Sequence, residues 1–85
     1  MDAADRAISA VDRDINLRIL KITQLKESEL KLGRQLDVAA EPHSYRKISE
    51  MHRKCLAIID TLTTENRDAY SYRKTQVDLK YDVTL

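Results

Sequence analysis

Hydrophobic residues in the first half of the chain recur at alternating steps of three and four positions. The series includes two polar members: Ile8, Val11, Ile15, Arg18, Ile22, Leu25, Glu29, Leu32 and Leu36. This spacing places one apolar stripe on an α-helix and is typical of a coiled-coil seam. Gly33 is the first glycine or proline in the chain. We therefore predict a first helix over about residues 3–35, ending between Gly33 and Leu36.

A second series with the same spacing follows the single proline. Pro42 suits the first turn of a helix, where its missing N–H needs no partner. The series reads Tyr45, Ile48, Met51, Cys55, Ile58, Leu62, Glu65, Ala69 and Tyr72, and it predicts a second helix over about residues 43–74. A short connection between two long helices makes them antiparallel neighbours.

The predicted fold is therefore all-α: an antiparallel, coiled-coil-like hairpin of two helices that occupies residues 1–75. Its turn is expected between Gly33 and Tyr45. The side chains expected to fill the contact between the helices are Ile15, Ile22, Leu25, Ile48, Cys55, Ile58 and Leu62.

The end of the chain changes its hydrophobic period. Apolar and polar residues alternate strictly from Val77 to Leu85, which is the pattern of a strand with one buried face. No other stretch predicts a strand that could pair with it. We expect residues 76–85 to form an extended or disordered tail, ordered by another chain if at all. A helical tail with Val77, Tyr81 and Leu85 on one side is the alternative.

Composition and charge narrow the class of protein. A chain of 85 residues makes one small domain. Its net charge of +1 gives no electrostatic case for binding nucleic acid or an acidic membrane. The longest apolar run, residues 56–59, is too short for stable membrane insertion. The acidic start lacks the apolar core of a secretory signal and Cys55 is the single cysteine, so we expect a cytoplasmic protein.

Two side chains with metal-ligand chemistry share one face of the second helix. His52 and Cys55 are three residues apart, and His43 is the other histidine. Zinc sites need three or four ligands, and a Cys–His catalytic pair needs a third group that orients it. We therefore predict no catalytic residue, cofactor or metal, and a protein that is not an enzyme.

Several apolar residues lie off both seams. Two helices bury only one stripe each, so a surplus of apolar side chains stays exposed in a single hairpin, and such surfaces mark association sites. Scattered surface leucines, which are common, are the alternative interpretation. The residues predicted to bind a protein partner, or a second copy of the chain, are Leu17, Ile19, Leu20, Leu30, Leu56 and Ile59.

The turn and the second helix resemble a known family. The residues concerned are Gly33, Pro42-His43-Ser44-Tyr45, Ile48, Cys55 and the pair Ile58-Ile59. Over about residues 15–62, this pattern is similar to that of the YscE/SsaE-like co-chaperones of bacterial type III secretion systems, which are small helical hairpins. The resemblance implies a cytoplasmic chaperone that pairs with a helical-repeat co-chaperone. Together they would keep a secreted needle or translocator subunit soluble.

Two classes of function follow from the sequence. The preferred one is a non-enzymatic protein-interaction subunit, most concretely a type III secretion co-chaperone. The alternative is a structural helical-hairpin subunit or a homodimeric coiled-coil scaffold protein. A small nucleic-acid binder is disfavoured because the charges of the first helix are mixed.

Overall fold

A computed structural model of the chain describes residues 2–81. Helix α1 spans Ala3–Val38 and helix α2 spans Pro42–Tyr81, joined by residues 39–41. The two helices lie side by side and antiparallel in a rod of 64 × 21 × 13 Å. The predicted all-α hairpin is confirmed, and residues 2–81 contain no strand.

The first helix begins at an aspartate cap and continues further than its glycine suggested. The side chain of Asp2 accepts a hydrogen bond of 2.8 Å from the N–H of Asp5, which satisfies one free donor of the first turn. The predicted end between Gly33 and Leu36 is wrong, because α1 passes through both and ends at Val38. Arg34, Gln35 and Leu36, which follow Gly33, are good helix formers, so the helix continues past the glycine.

The second helix begins at Pro42, one residue before its predicted start, and includes the first part of the predicted tail. It continues to Tyr81, so residues 76–81 are helical rather than extended or disordered. Val77 is half-buried, and Lys80 forms an ion pair with Asp5 of α1. These contacts hold the last turns of α2 against α1. A strand at this place would have no neighbouring strand among residues 2–81 to pair with. Residues 82–85, with the rest of the alternating pattern, lie outside the described part of the chain.

The interior between the helices is thin. Among residues 2–81, the buried apolar side chains are Val11, Ile15 and Cys55, and the buried polar side chain is Asn66. Two helices can cover each other along one stripe only, so other contacting residues stay half-buried. Every seam position predicted for α1 is buried or half-buried in the structure.

The seam predicted for α2 is wrong at every second position. The predicted residues Ile48, Cys55, Leu62 and Ala69 do face α1. The other predicted members are exposed, and they are Tyr45, Met51, Ile58, Glu65 and Tyr72. From Met51 onward, their places are taken by the residues one position further along, which are buried or half-buried: His52, Ile59, Asn66 and Arg73. The helix is therefore rotated so that a largely polar row, rather than a more apolar one, contacts α1.

Candidate protein-interaction surface

Charged and polar contacts across the hairpin explain this rotation of α2. Residues 52, 66, 73 and 80, which we call the polar row, each face a charged side chain of α1. His52 contacts Glu29 at 2.8 Å, and Asn66 contacts Arg18 at 2.8 Å. Arg73 and Lys80 each pair with an aspartate of α1. A covered charged or polar side chain needs a hydrogen-bonding partner. The contacts of Arg18 and Glu29 in the α1 seam therefore favour the orientation in which the polar row of α2, rather than the row with Met51, Ile58 and Tyr72, faces α1.

The centre of the hairpin holds a four-residue cluster around Arg18. Its guanidinium donates to the Oδ1 of buried Asn66, and it pairs with Asp14 at 2.7 Å and Glu65 at 3.3 Å. Only 15% of the Arg18 side chain is exposed, whereas both carboxylates are about half-exposed. The cluster therefore satisfies a largely covered cation and places Asp14 and Glu65 on the same open face of the hairpin.

The open end of the hairpin is fastened by two ion pairs. Arg73 donates to Asp12 at 2.5 Å, and the ammonium of Lys80 pairs with Asp5. The hydrogen bond from each guanidinium or ammonium to its aspartate raises the pKa of Arg73 and of Lys80 above their ordinary values. The start of α1 and the end of α2 are thus held together by charge as well as by the packing of buried Val11.

The residues with metal-ligand chemistry serve the packing of the helices. Cys55 is buried and its thiol donates to the carbonyl oxygen of Leu25 at 3.1 Å. His52 contacts Glu29 across the seam. Over the described residues, no three His, Cys, Asp or Glu side chains converge as metal ligands would.

The rotation of α2 leaves a line of large apolar side chains uncovered. Met51, Ile58, Tyr72 and Leu79, which we call the exposed row, are each between 46% and 66% exposed. They occupy the same position of successive heptads, with Glu65 at the middle position, so they share one face of α2. From Met51 to Leu79 the row is about 42 Å long at 1.5 Å per residue. Glu65 pairs with Arg18, which places the row on the face that also carries Asp14.

The six residues predicted to bind a partner do not lie together. Leu17, Ile19, Leu20, Leu30 and Leu56 are exposed, as expected, but Ile59 is half-buried in the seam. Leu17 and Leu20, three residues apart, are neighbours on the surface of α1, whereas Ile19 is turned by about 100° or more from both. Leu56 lies on the edge of α2 opposite to the exposed row. Sequence reasoning missed the exposed row because it assigned Met51, Ile58 and Tyr72 to the seam.

Within residues 2–81, no helical stretch has the length and hydropathy that crossing a lipid bilayer requires.

No protein-family model, no curated protein and no solved structure matches this chain. The resemblance to the YscE/SsaE-like co-chaperones therefore stays a prediction.

Proposed function

We propose that this chain is a non-enzymatic protein-interaction subunit that binds a helical partner through the exposed row of α2. The observation that supports this best is the row itself. Four large apolar side chains lie in one line about 42 Å long on a helix, and each of them is roughly half exposed or more. A helix laid along such a line would bury side chains at heptad spacing, which is a common mode of protein recognition.

The finer proposal is that the partner is a co-chaperone or secreted subunit of a type III secretion system. It is supported by the hairpin architecture and by the proline at the start of α2. One feature of the resemblance is weakened, since Gly33 lies inside α1 and does not end it. The mechanism would be capping: the exposed row would cover an apolar helix of the partner that otherwise aggregates.

Two tyrosines offer a matched test of this proposal. Tyr72 belongs to the exposed row, whereas Tyr70 lies with Leu56 on the opposite edge of α2, and the two are exposed to 50% and 52%. The tagged wild-type chain and its Tyr72→Asp and Tyr70→Asp variants would each be expressed in cells of the organism that encodes the chain. Each would be captured by its tag, and the bound proteins would be identified by mass spectrometry. Circular dichroism of both variants would check that the hairpin is intact.

The proposal predicts a captured protein with helical segments that is lost with Tyr72→Asp and retained with Tyr70→Asp. Loss with Tyr70→Asp alone would move the binding face to the edge that holds Leu56. Equal capture by both variants would overturn a role for either edge of α2. If a secretion subunit is captured, its aggregation measured by light scattering should be suppressed by the wild-type chain and less by Tyr72→Asp.

A further inference from the structure

Charges are arranged on the face of the hairpin that carries the exposed row. On α2, Lys47 and Lys54 are helix-surface neighbours of Met51 and Ile58, at spacings of three or four residues. In the other half of the row, Asp68 has the same relationship to Glu65 and Tyr72. The row is therefore flanked by two lysines before Glu65 and by one aspartate after it.

The first helix presents a row of its own on this face. Asp14 lies there because it shares Arg18 with Glu65. Residues seven apart repeat the same helical position, so Ala7, Lys21 and Ser28 lie in line with Asp14. These side chains are small or charged, with one acid and one base at adjacent heptads.

Both rows are self-complementary when they meet their own copy in the antiparallel direction. About a twofold axis at Glu65, Ile58 faces Tyr72 and Met51 faces Leu79 of the second copy. About an axis midway between Asp14 and Lys21, each aspartate faces a lysine, and Ala7 faces Ser28. The two axes coincide, because Glu65 and Arg18 are in contact at 3.3 Å and therefore lie at one level of the rod.

From this coincidence we infer that the partner which the face fits is a second copy of this chain. Two hairpins pack face to face, α1 on α1 and α2 on α2, into an antiparallel four-helix bundle with twofold symmetry. The inference rests on the proposed function, since it uses the same face, and a second copy would compete there with any other helical partner. The two Glu65 carboxylates meet at the axis, each beside its own Arg18.

The size of the face suits a reversible dimer. Its length of about 42 Å and the 21 Å width of the rod bound a footprint of roughly 900 Å² on each copy. Stable interfaces bury about 800 Å² on each partner. Because part of the footprint is polar, we expect a dimer that forms at micromolar concentrations and dissociates on dilution.

A charge-swap experiment tests the second copy directly. Asp14→Lys alone sets lysine against lysine across the axis, and Lys21→Asp alone sets aspartate against aspartate. Each single variant should dimerise at least about tenfold more weakly than the wild type in sedimentation equilibrium, a cost of about 1.4 kcal/mol. Mixing the two variants should restore association as a heterodimer, in which both contacts join opposite charges. Thermal melts would confirm that both variants keep the hairpin.

Three results would overturn the inference: a wild-type chain that is monomeric up to millimolar concentration, single variants that dimerise like the wild type, or a mixture that forms no heterodimer. None of them bears on the proposed function, which is tested by partner capture with the two tyrosine variants. Conversely, failure of partner capture with a restored heterodimer would leave the second copy as the occupant of this face.

Discussion

The guanidinium of Arg18 donates a hydrogen bond of 2.8 Å to the Oδ1 of Asn66, and this contact joins the middles of the two helices. Asn66 is buried, and Arg18 is mostly covered. A buried polar pair adds little net stability compared with apolar packing, but removing one partner leaves the other unsatisfied. The pair fixes how α2 is rotated and shifted along α1, as single polar residues do in coiled-coil seams.

This pair predicts strong non-additivity. Arg18→Leu leaves the amide of Asn66 buried without its partner and should lower the free energy of unfolding by about 1–3 kcal/mol. The double variant Arg18→Leu/Asn66→Leu should be at least as stable as Arg18→Leu alone, because no buried polar group is stranded. Urea denaturation of the wild type, both single variants and the double variant measures this. Additive losses would show that the two side chains are not coupled.

Neighbouring isoleucines report on the rotation of α2. Ile59 is half-buried in the seam, whereas Ile58 is 46% exposed. Ile59→Ala should lower the free energy of unfolding by roughly 1–3 kcal/mol, less than for a fully buried isoleucine. Ile58→Ala should change it by at most about 0.5 kcal/mol under dilute, monomeric conditions. A larger loss for Ile58→Ala in thermal or urea unfolding would contradict the observed seam.

Gly33 offers a stabilising substitution. It lies within α1, and beyond its two chain neighbours and the backbone of its own helix, an added Cβ would meet no atom within 4 Å. Gly33→Ala should raise the free energy of unfolding by about 0.5–1 kcal/mol, because alanine loses less backbone freedom on folding. Ala57→Gly, at an exposed position of α2, is the matched control and should lower it by a similar amount. A destabilising Gly33→Ala would mean that the backbone at this residue is not helical.

The last turns of α2 should hold the first turns of α1 in place. A chain that ends at Thr75 loses half-buried Val77 and the ion pair of Lys80 with Asp5. Amide hydrogen exchange of residues 8–15 should therefore be faster in this chain than in one that ends at Tyr81. Equal exchange in the two truncated chains would show that residues 76–81 make no contact that matters to the hairpin.

Much of the fold could be predicted because it follows from local chemistry. The seam of α1 has one choice of apolar stripe, and Pro42 marks the start of α2 without ambiguity. The end of α1 was harder, since Gly33 is compatible with both a helix interior and a helix stop. The tail after Thr75 alternates like a strand, but with a helix already packed against α1 the same residues extend that helix.

The exposed row could not be predicted from α2 alone, because the rotation of α2 depends on side chains of both helices. In α2 alone, the row with Met51, Ile58 and Tyr72 is more apolar than the row with Asn66 and Arg73, and hydrophobicity favours it for the seam. The choice is reversed by the charges of α1. The signal was present in the sequence, because Asp5 and Asp12, seven residues apart, are matched in reverse order by Arg73 and Lys80, which are also seven residues apart.

The distance between spin labels on two copies tests most directly whether the face with the exposed row is an association surface. In a Cys55→Ser background, nitroxides would be attached one at a time at positions 50, 57 and 64, which lie outside the proposed contact. A twofold axis at Glu65 predicts a separation along the rod of about 3 Å for position 64, 24 Å for 57 and 45 Å for 50. Electron–electron double resonance should therefore give distances that lengthen in this order. Equal distances at all three positions, or no dipolar coupling at concentrations where a dimer should form, would contradict the account.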